Sequence, residues 1–533
     1  MTHLEKFKIM THLEKFKIMT HLEKFKIMLL PKKLGILFLL ALCSLTITGQ
    51  TSFSFEKTTP EAAGISSKAV LDFVNAVEKE ANGIHSFMIL RHGKVISQGW
   101  WEPYAAELPH VMNSLSKSFT STAVGFAVQE GLLNIDDKVI SFFPDKVPGN
   151  PSEYLKQMTV RNLLTMSTGQ KREPPIISGG VNDTDWVKVF LATPIDDKPG
   201  EIFRYNSIAT YMLSAIVTQV TGDKVVDYLD TRFFQPLLIN KPEWDECPMG
   251  INTGGWGIQV ITEDIAKLGQ FYLQKGMWNG KQLLSAEWTE QATSLQIETS
   301  RTNGTESDWS KGYGFQFWQC TNDCYRGSGA GGQLCIVCPK SDLVVAITSG
   351  GYIAMEKVWK HLLPAMEENA LPEDEKALAA LNEKCANLKL KTMEGDVTNK
   401  TANRISGKAF QLKENQQHFK SISFNFENGN NTVINIESDK GKTSFSAGYN
   451  NYVLAENGKS LPFAEKMSPM TGTSGAWIDN NTYQVTIRFR EMVGYYTYKF
   501  KFDGDKITWE SSSHKNIIIG GWRKMPVLEG EMN

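Results

Sequence analysis

Apolar and polar positions fall into two textures along the chain. Between about residues 56 and 365, short apolar runs alternate with segments of helical period. Ile84–Arg91 (IHSFMILR) and Lys94–Trp101 read as two strands joined by a turn at His92-Gly93. Ser114–Gly131 reads as a helix, with Phe119, Ala123, Ala127 and Val128 at helical spacing and Gly131 as its stop. Ser207–Gly222 reads as a second helix, again closed by glycine, and Thr262–Lys275 as a third, capped by Thr262 with Asp264 behind it. Gly312–Gln319, Gln333–Pro339 and Leu343–Thr348 read as strands. A strand pair, then helices, then more strands predicts an antiparallel sheet fed from both ends of the domain, with a helical insertion between.

The charged, Ala-rich stretch Glu367–Lys384 reads as a linking helix within residues 367–390. From about residue 391 the pattern becomes alternating. Ser421–Phe426 (SISFNF), Thr432–Glu437, Thr443–Ala447, Tyr483–Phe489, Tyr495–Phe502 and Ile507–Trp509 are short strands separated by Asn-Gly, Asp-Gly and Asp-Lys-Gly turns. Such spacing predicts a small all-β sandwich or barrel over residues 391–533, behind a first domain over 50–366. The alternative is a strand-rich tail integral to the first domain.

The first 49 residues stand apart. Met1–Ile9, Met10–Ile18 and Met19–Ile27 are three identical copies of MTHLEKFKI. A perfect short repeat is not a fold unit and reads as an alternative-start or cloning feature. Lys32 and Lys33 then precede an apolar run from Leu34 to Thr48, followed by Gly49-Gln50. A basic flank, a short apolar stretch and small residues at its end predict a secretory signal peptide, since a spanning helix needs about 20 residues. The expected location is outside the cytoplasm, periplasmic or secreted in a bacterium. A membrane tether arises only if the signal stays uncleaved or Cys43 is lipidated, and Leu42 stands where a lipoprotein box wants a small residue.

Overall composition changes this picture little: 41% hydrophobic and 21% charged residues are ordinary for globular chains and exclude a coiled coil or a disordered tail. Without residues 1–49 the balance is 48 basic against 55 acidic, a net charge of −7, and no basic block supports nucleic-acid binding. Six cysteines remain. Cys320-x3-Cys324 and Cys335-x2-Cys338 imitate zinc-ligand pairs, yet the second pair lies in an apolar strand (LCIVCP) on opposite faces. Buried free thiols, or a Cys320–Cys324 disulfide across the intervening turn, account for them better.

Common catalytic signatures are absent: no G-x-S-x-G elbow, no H-E-x-x-H, no P-loop and no G-x-G-x-x-G before a helix. Three S-x-x-K matches occur, about the number expected by chance. Ser54-x-x-Lys57 follows the signal, and Ser512-x-x-Lys515 reads as part of a polar loop. Only Ser114-Leu115-Ser116-Lys117 opens an apolar helix. Spacing i, i+3 puts Ser114 and Lys117 on one face. The helix start offers free N–H groups and a positive dipole end for an oxyanion. Burial by Phe119, Ala123 and Val124 would lower the Lys117 pKa until it can accept a proton. A capping Ser114 with a solvated Lys117 is the alternative. Two further segments favour chemistry: Phe203-Arg204-Tyr205-Asn206-Ser207, which sets a phenol and a hydroxyl at a helix start, and Arg326–Gln333 (RGSGAGGQ), a glycine-rich entry to an apolar strand.

With S-x-x-K, then Y-x-S, then a glycine-rich strand entry, the chain resembles the serine β-lactamase superfamily, in its class C β-lactamase, penicillin-binding-protein and esterase branch. MILRHGKVISQGWW, VMNSLSKSFTSTAVGFAVQEGLL, VRNLLTMSTG, YNSIATYMLSAIVTQVTG and ITEDIAKLGQFYLQKGMWNG carry the resemblance through residues 56–365. It implies an α/β (α+β) transpeptidase-like fold: an antiparallel sheet flanked by helices plus an all-α region, with the site at their junction. It implies Ser114 as acylated nucleophile, Lys117 as proton acceptor and Tyr205 as acid/base, without a metal or organic cofactor. Two departures matter. Ser207 stands where the family usually has Asn. Arg326 stands, in an ungapped reading, where it has Lys or His, with Ser328 beside it and Gly329 (or Ala330, with a one-residue gap) as oxyanion donor. The expected activity is therefore an exported serine hydrolase for an ester, amide or D-amino-acid peptide. A true β-lactamase or a non-catalytic cell-wall-peptide recognition module are the alternatives. The partner is a small-molecule or peptide substrate, with specificity carried by loops such as Gln170–Asp185.

Overall fold

Strand-forming runs from both ends of the first half meet in one sheet. The computed structural model describes residues 55–532 apart from 80–82, 178, 181–182, 305–306, 352, 465–466 and 515–524. The N-terminal repeats, the apolar run, Cys43 and Ser54 lie outside the described residues. The principal elements of the first half are α1 (Ser67–Glu78), β1 (Ile84–Arg91), β2 (Lys94–Trp100), α2 (Ser116–Gln129), α3 (Ser207–Thr221), α4 (Thr262–Leu273), β3 (Trp318–Gln319), β4 (Tyr325–Gly329), β5 (Gln333–Cys338), β6 (Leu343–Ser349) and α5 (Glu375–Ala386). His92 and Gly93 both take positive φ (53° and 70°), the geometry that suits a two-residue hairpin and turns β1 into β2. The sheet order is β2-β1-β6-β5-β4-β3, antiparallel throughout.

Every residue of β1 is buried because both faces of the sheet are covered. Val70, Phe73 and Val77 of α1 and Leu381 of α5 join Phe87, Ile336 and Val345 in a core on one side. On the other lies α4. Gly269 permits its approach, since a Cβ there would come within 2.5 Å of Val344 and 3.0 Å of the Cys335 sulfur. Between β2 and β3 the chain builds the helical region, in which α2 is buried on all sides from Ser116 to Ala127. Its small residues suit that crowding, and its hydroxyls return to carbonyls: Thr122 donates to Ser118 O (2.9 Å) and Thr120 to Gly254 O (2.8 Å).

Several expectations are corrected. Only Trp318–Gln319 of the expected strand 312–319 is extended. Gln316 has φ 66°, and its amide links Leu164 O (2.7 Å) to the Thr210 hydroxyl (2.7 Å), so tertiary contacts override the local pattern. Thr262 is the first residue of α4, and it is Asp264 that caps, accepting the Ile261 N–H (3.3 Å). The linking helix begins only at Glu375, after Pro372, with Asp374 accepting the Ala377 N–H (2.9 Å). The disulfide joins Cys324 to Cys338, not to Cys320. The Tyr325↔Val337 pairing of β4 with β5 sets these two cysteines across from each other, with Cα atoms 4.3 Å apart.

The second half is a barrel of β7 (Ala409–Leu412), β8 (Phe419–Asn428), β9 (Asn431–Ser438), β10 (Gly441–Gly448), β11 (Val453–Ala455), β12 (Thr471–Trp477), β13 (Thr482–Phe489), β14 (Tyr495–Asp503), β15 (Lys506–Ser513) and β16 (Leu528–Met532). The order runs β10-β9-β8-β7-β16-β15-β14-β13-β12-β11, and Gly448 meets Ser474 in parallel, so nine strands close and β11 rides on β12. Closure removes the edges that a sandwich would leave. Phe424, Ile434, Val485, Tyr498, Phe500 and Trp509 form a core distinct from that of the first half. Ser512 lies within β15 rather than in a loop. The β13–β14 turn reaches back to the first half. Glu491 O accepts the Val111 N–H (2.9 Å), Met492 O accepts from the Tyr104 hydroxyl (3.4 Å), and Val493 packs where a Cβ on Gly331 would fall 2.7 Å away.

Candidate active site

Ser114 sits in a short 3-10 turn, Asn113–Leu115, that runs directly into α2. Asn113 enters the turn at φ 47°, and its side-chain amide donates to Ala330 O (2.7 Å). Ser116 Oγ donates to Asn113 O (2.6 Å) and accepts the Ile258 N–H (3.3 Å). The segment bearing Ser114 is therefore tied at both ends. β4 crosses it at a separation only glycine allows: a Cβ on Gly327 would approach Leu115 to 2.3 Å, and one on Gly329 would strike Met112 O at 2.1 Å.

One turn along α2, Lys117 is 1% exposed. Its ammonium donates to Ser114 Oγ (3.2 Å), Ser207 Oγ (3.2 Å) and Gly255 O (2.7 Å). None of these acceptors is charged, so burial dominates and lowers the pKa to about 7, with the more distant Glu173 carboxylate opposing. Ser207 occupies, with a hydroxyl, the place expected of an amide. Asn206 instead caps α3, its Oδ1 accepting from Ile208 N (3.0 Å) and Ala209 N (3.1 Å).

Tyr205 precedes α3, and its hydroxyl is hydrogen-bonded to Ser114. Tyr205 is 38% exposed and its ring stacks on Trp318 (5.8 Å between centroids, 17°), while Lys117 Nζ lies 4.9 Å from the ring centroid. The hydroxyl itself is desolvated, which pushes its pKa up despite the bond to Ser114. Ser114, Lys117, Tyr205 and Ser207 are thus brought together. Ser328 and Gly329 lie on the buried strand β4 beside them, and Ala330 lies at its exposed end, linked through Asn113.

Arg326 is not brought into the cleft. It is 0% exposed, and its Nη1 donates to Asp308 O (3.4 Å), Gln319 O (3.2 Å) and the Cys320 sulfur (2.9 Å). Its guanidinium lies over the Trp309 ring (4.4 Å) and near that of Trp318 (5.7 Å). Trp318 thus stacks on Tyr205 and also neighbours Arg326, and a substrate anion cannot meet a guanidinium so enclosed. Asn113, Glu173 and Gly255 were not singled out in the sequence. The Thr253-Gly254-Gly255 run was the available sign for Gly255, since a Cβ there would meet Ser207 O at 2.7 Å.

A serine, a buried lysine and a tyrosine thus meet between a helical region and an antiparallel sheet, and comparison with known proteins gives the class. The beta-lactamase family model matches residues 76–354, more than half of the chain. The chain belongs to the beta-lactamase family of serine hydrolases. Among its relatives is the 6-aminohexanoate-dimer hydrolase of Paenarthrobacter ureafaciens, 26% identical over 285 residues, which cover 49% of this chain and 71% of that one. Penicillin-binding protein 4 of Amycolatopsis lactamdurans is 23% identical over 301 residues, covering 49% and 77% respectively. The octameric penicillin-binding-protein homologue of Pyrococcus abyssi is a structural neighbour at 16% identity and TM-score 0.44, covering 83% of this chain and 96% of that one.

Proposed function

We propose that this chain is an exported hydrolase that cleaves an ester, amide or D-amino-acid peptide through an acyl-enzyme on Ser114. The observation that carries this reading is Lys117: an ammonium buried without a carboxylate in reach, 3.2 Å from Ser114 Oγ, with its pKa lowered to about 7. Half of such groups are neutral near pH 7 and able to take the serine proton. Ser114 Oγ bonds to the carbonyl carbon as its proton passes to Lys117 Nζ. The carbonyl electrons move onto oxygen, which the N–H groups of Ser114 and Gly329 (or Ala330) would hold. The Tyr205 phenol, raised by burial, stays protonated and suits the complementary step, giving a proton to the leaving alcohol or amine as the carbonyl re-forms. Lys117 then re-protonates Tyr205, and water attacks the acyl-enzyme, losing its proton to Lys117, which passes it to Ser114 Oγ as the bond from Oγ to the acyl carbon breaks and the acid leaves.

Support for export comes from Lys32-Lys33 with the apolar run behind them and from the Cys324–Cys338 disulfide, which persists in oxidising compartments. An amide substrate is supported by the relative described as a 6-aminohexanoate-dimer hydrolase. Turnover of β-lactam antibiotics is disfavoured by the enclosure of Arg326, which takes its guanidinium out of reach of the antibiotic carboxylate. The test is covalent labelling with a fluorophosphonate, followed by mass spectrometry. The label is expected on Ser114, with none on Ser512, and Ser114→Ala should abolish both labelling and turnover at a nearly unchanged Tm. Nitrocefin should be cleaved far more slowly than a p-nitrophenyl ester. Full activity in Ser114→Ala would end this reading.

A further inference from the structure

The acylation chemistry leaves one charge at the cleft unused. Glu173, in the loop that follows Gly169, is exposed, and its Oε1 accepts the N–H of Ser207 and of Ile208 (3.1 Å). The carboxylate is thereby pinned at the start of α3, beside the residue whose hydroxyl holds Lys117. Its field reaches both Lys117 and Tyr205. The adjoining Lys171 and Arg172 are exposed. Among the described residues Glu173 forms no ion pair. On the β4 side the nearby guanidinium, Arg326, is sealed from solvent. The charge held by hydrogen bonds at the start of α3 is therefore negative, and the adjoining wall is the partly exposed Tyr205, backed by Trp318. Because Trp318 stacks on the Tyr205 ring and Lys117 Nζ lies over it, the attraction for an ammonium group comes from the Glu173 carboxylate, and the exposed part of Tyr205 supplies the wall beside it.

We infer that the enzyme selects substrates bearing a cationic ammonium group, seated against the Glu173 carboxylate with the Tyr205 ring as the adjoining wall, and discriminates against substrates that place a carboxylate there. This rests on the acyl-enzyme reading above and adds the substrate class to it. Pinning by two backbone N–H groups costs Glu173 little of its attraction for a cation, because the carboxylate keeps a second oxygen. It also fixes where the cation sits, as a freely rotating surface glutamate would not.

Three p-nitrophenyl esters of matched length test it: those of 6-aminohexanoic, heptanoic and adipic acids, which end in an ammonium, a methyl and a carboxylate. With an exposed partner, the wild type should favour the cationic ester over the neutral one by about five-fold in kcat/KM, and the neutral over the anionic by a similar factor. Glu173→Gln should compress both ratios to about one, and Glu173→Asp should retain part of them. Raising the salt concentration should shrink the ratios in the wild type and leave those of Glu173→Gln unchanged. Ratios are read rather than absolute rates because Glu173 also touches the field at Lys117. A wild type indifferent to charge, or ratios that survive Glu173→Gln, would overturn the inference while leaving acyl-enzyme chemistry intact. If no ester is turned over, the same comparison is made from labelling rates of Ser114 with fluorophosphonates carrying an ammonium or a carboxylate tail. Equal rates overturn this inference alone, and no labelling by either overturns the acyl-enzyme reading together with it.

Discussion

Lys117 beneath the cleft and Arg488 on β13 of the barrel are both cut off from water, and their surroundings treat them in opposite ways. Lys117 has only hydroxyl and carbonyl acceptors, so burial pulls its pKa down to about 7. Arg488 suffers burial too, but the phenols of Tyr452 and Tyr104, which unlike a serine hydroxyl or a carbonyl can take on negative charge in the alkaline range where a guanidinium titrates, more than offset it, and its pKa is raised. Its Nε donates to Tyr452 Oη (3.0 Å), and its guanidinium lies 4.6 Å from the Tyr495 ring centroid. The choice of residue matches each setting. An ammonium can lose its proton when desolvated, whereas a guanidinium cannot, so it serves as a permanent strut. Burial in the first half is thus left uncompensated where a base is needed, and burial in the second is compensated where only cohesion is needed.

The sharpest way to break this comparison is to make the two cations alike. Lys117→Arg puts a group that cannot be deprotonated beside Ser114, and kcat/KM should fall by about 10²–10⁴. Lys117→Met should be equally inactive, yet at least as stable as the wild type in chemical denaturation, because it removes a buried charge. Activity retained in Lys117→Arg would show that Lys117 is also a strut.

A smaller effect should come from the histidines that lie between the halves. His85 Nδ1 and His110 Nε2 are 3.0 Å apart, and His85 stacks on Tyr104. Burial, then His110 and then Arg488 hold the His85 pKa well below the ordinary value, and burial lowers that of His110 to about 4. Both are neutral when folded. The unfolded chain takes up protons below about pH 6.5 that the folded chain refuses until about pH 4, so stability is full above that window and is lost as pH falls through it. For His110 the loss is on the order of 3 kcal/mol at the bottom of the window. Tm measured from pH 7 to pH 4 should drop less steeply in His110→Gln than in the wild type. Parallel curves would refute this linkage. Arg488→Met should cost less, about 1–2 kcal/mol, for one charge-assisted hydrogen bond and one ring contact set against relieved desolvation. Its kcat/KM should stay within about two-fold of wild type. A stabilised Arg488→Met would mean that the barrel cation is not compensated after all.

Legibility in the sequence followed the range of the interactions. Ser114 and Lys117 could be read because i, i+3 spacing on one helix already places them together. Tyr205 and Ser207 could be read because they flank a helix start. Asn113, Glu173 and Gly255 could not. Each meets a group far away in the chain, the Ala330 carbonyl, the Ser207 N–H and the Lys117 ammonium respectively, and no local pattern encodes such pairs. The fold shows the same limit. β1 and β6 stood out as apolar runs, whereas β12 (TGTSGAW) did not, because its glycines answer to partners: Gly472 gives room to Pro103, and Gly475 to the Tyr483 hydroxyl. Arg326 was expected at the substrate because of its place before the glycine-rich strand entry, but its direction depends on Trp309 and Trp318, which only tertiary structure sets against it.

The smallest effect probes how nearly Lys117 is left alone. Lys117 accepts the serine proton only when neutral, so kcat/KM for a neutral ester should rise through an acidic limb near pH 7. Burial sets that position, and the Glu173 carboxylate works against it by favouring the ammonium. Removing the negative charge should therefore let the pKa fall further, and the limb of Glu173→Gln should move to lower pH. Because Glu173 is exposed, water and salt screen it, and a shift of roughly 0.2–0.7 pH unit is expected. Salt offers an independent check on the sign. Raising ionic strength should move the wild-type limb downward and leave that of Glu173→Gln in place, since only the wild type has a carboxylate to screen. A limb that moved upward would mean that the Ser207 and Ile208 N–H groups, once freed of the carboxylate, reorganise the start of α3 and weaken the enclosure of Lys117. In that case Glu173 would owe its effect on the base to architecture rather than to charge, and the contrast between an uncompensated lysine and a compensated arginine would have to include the loop that carries it.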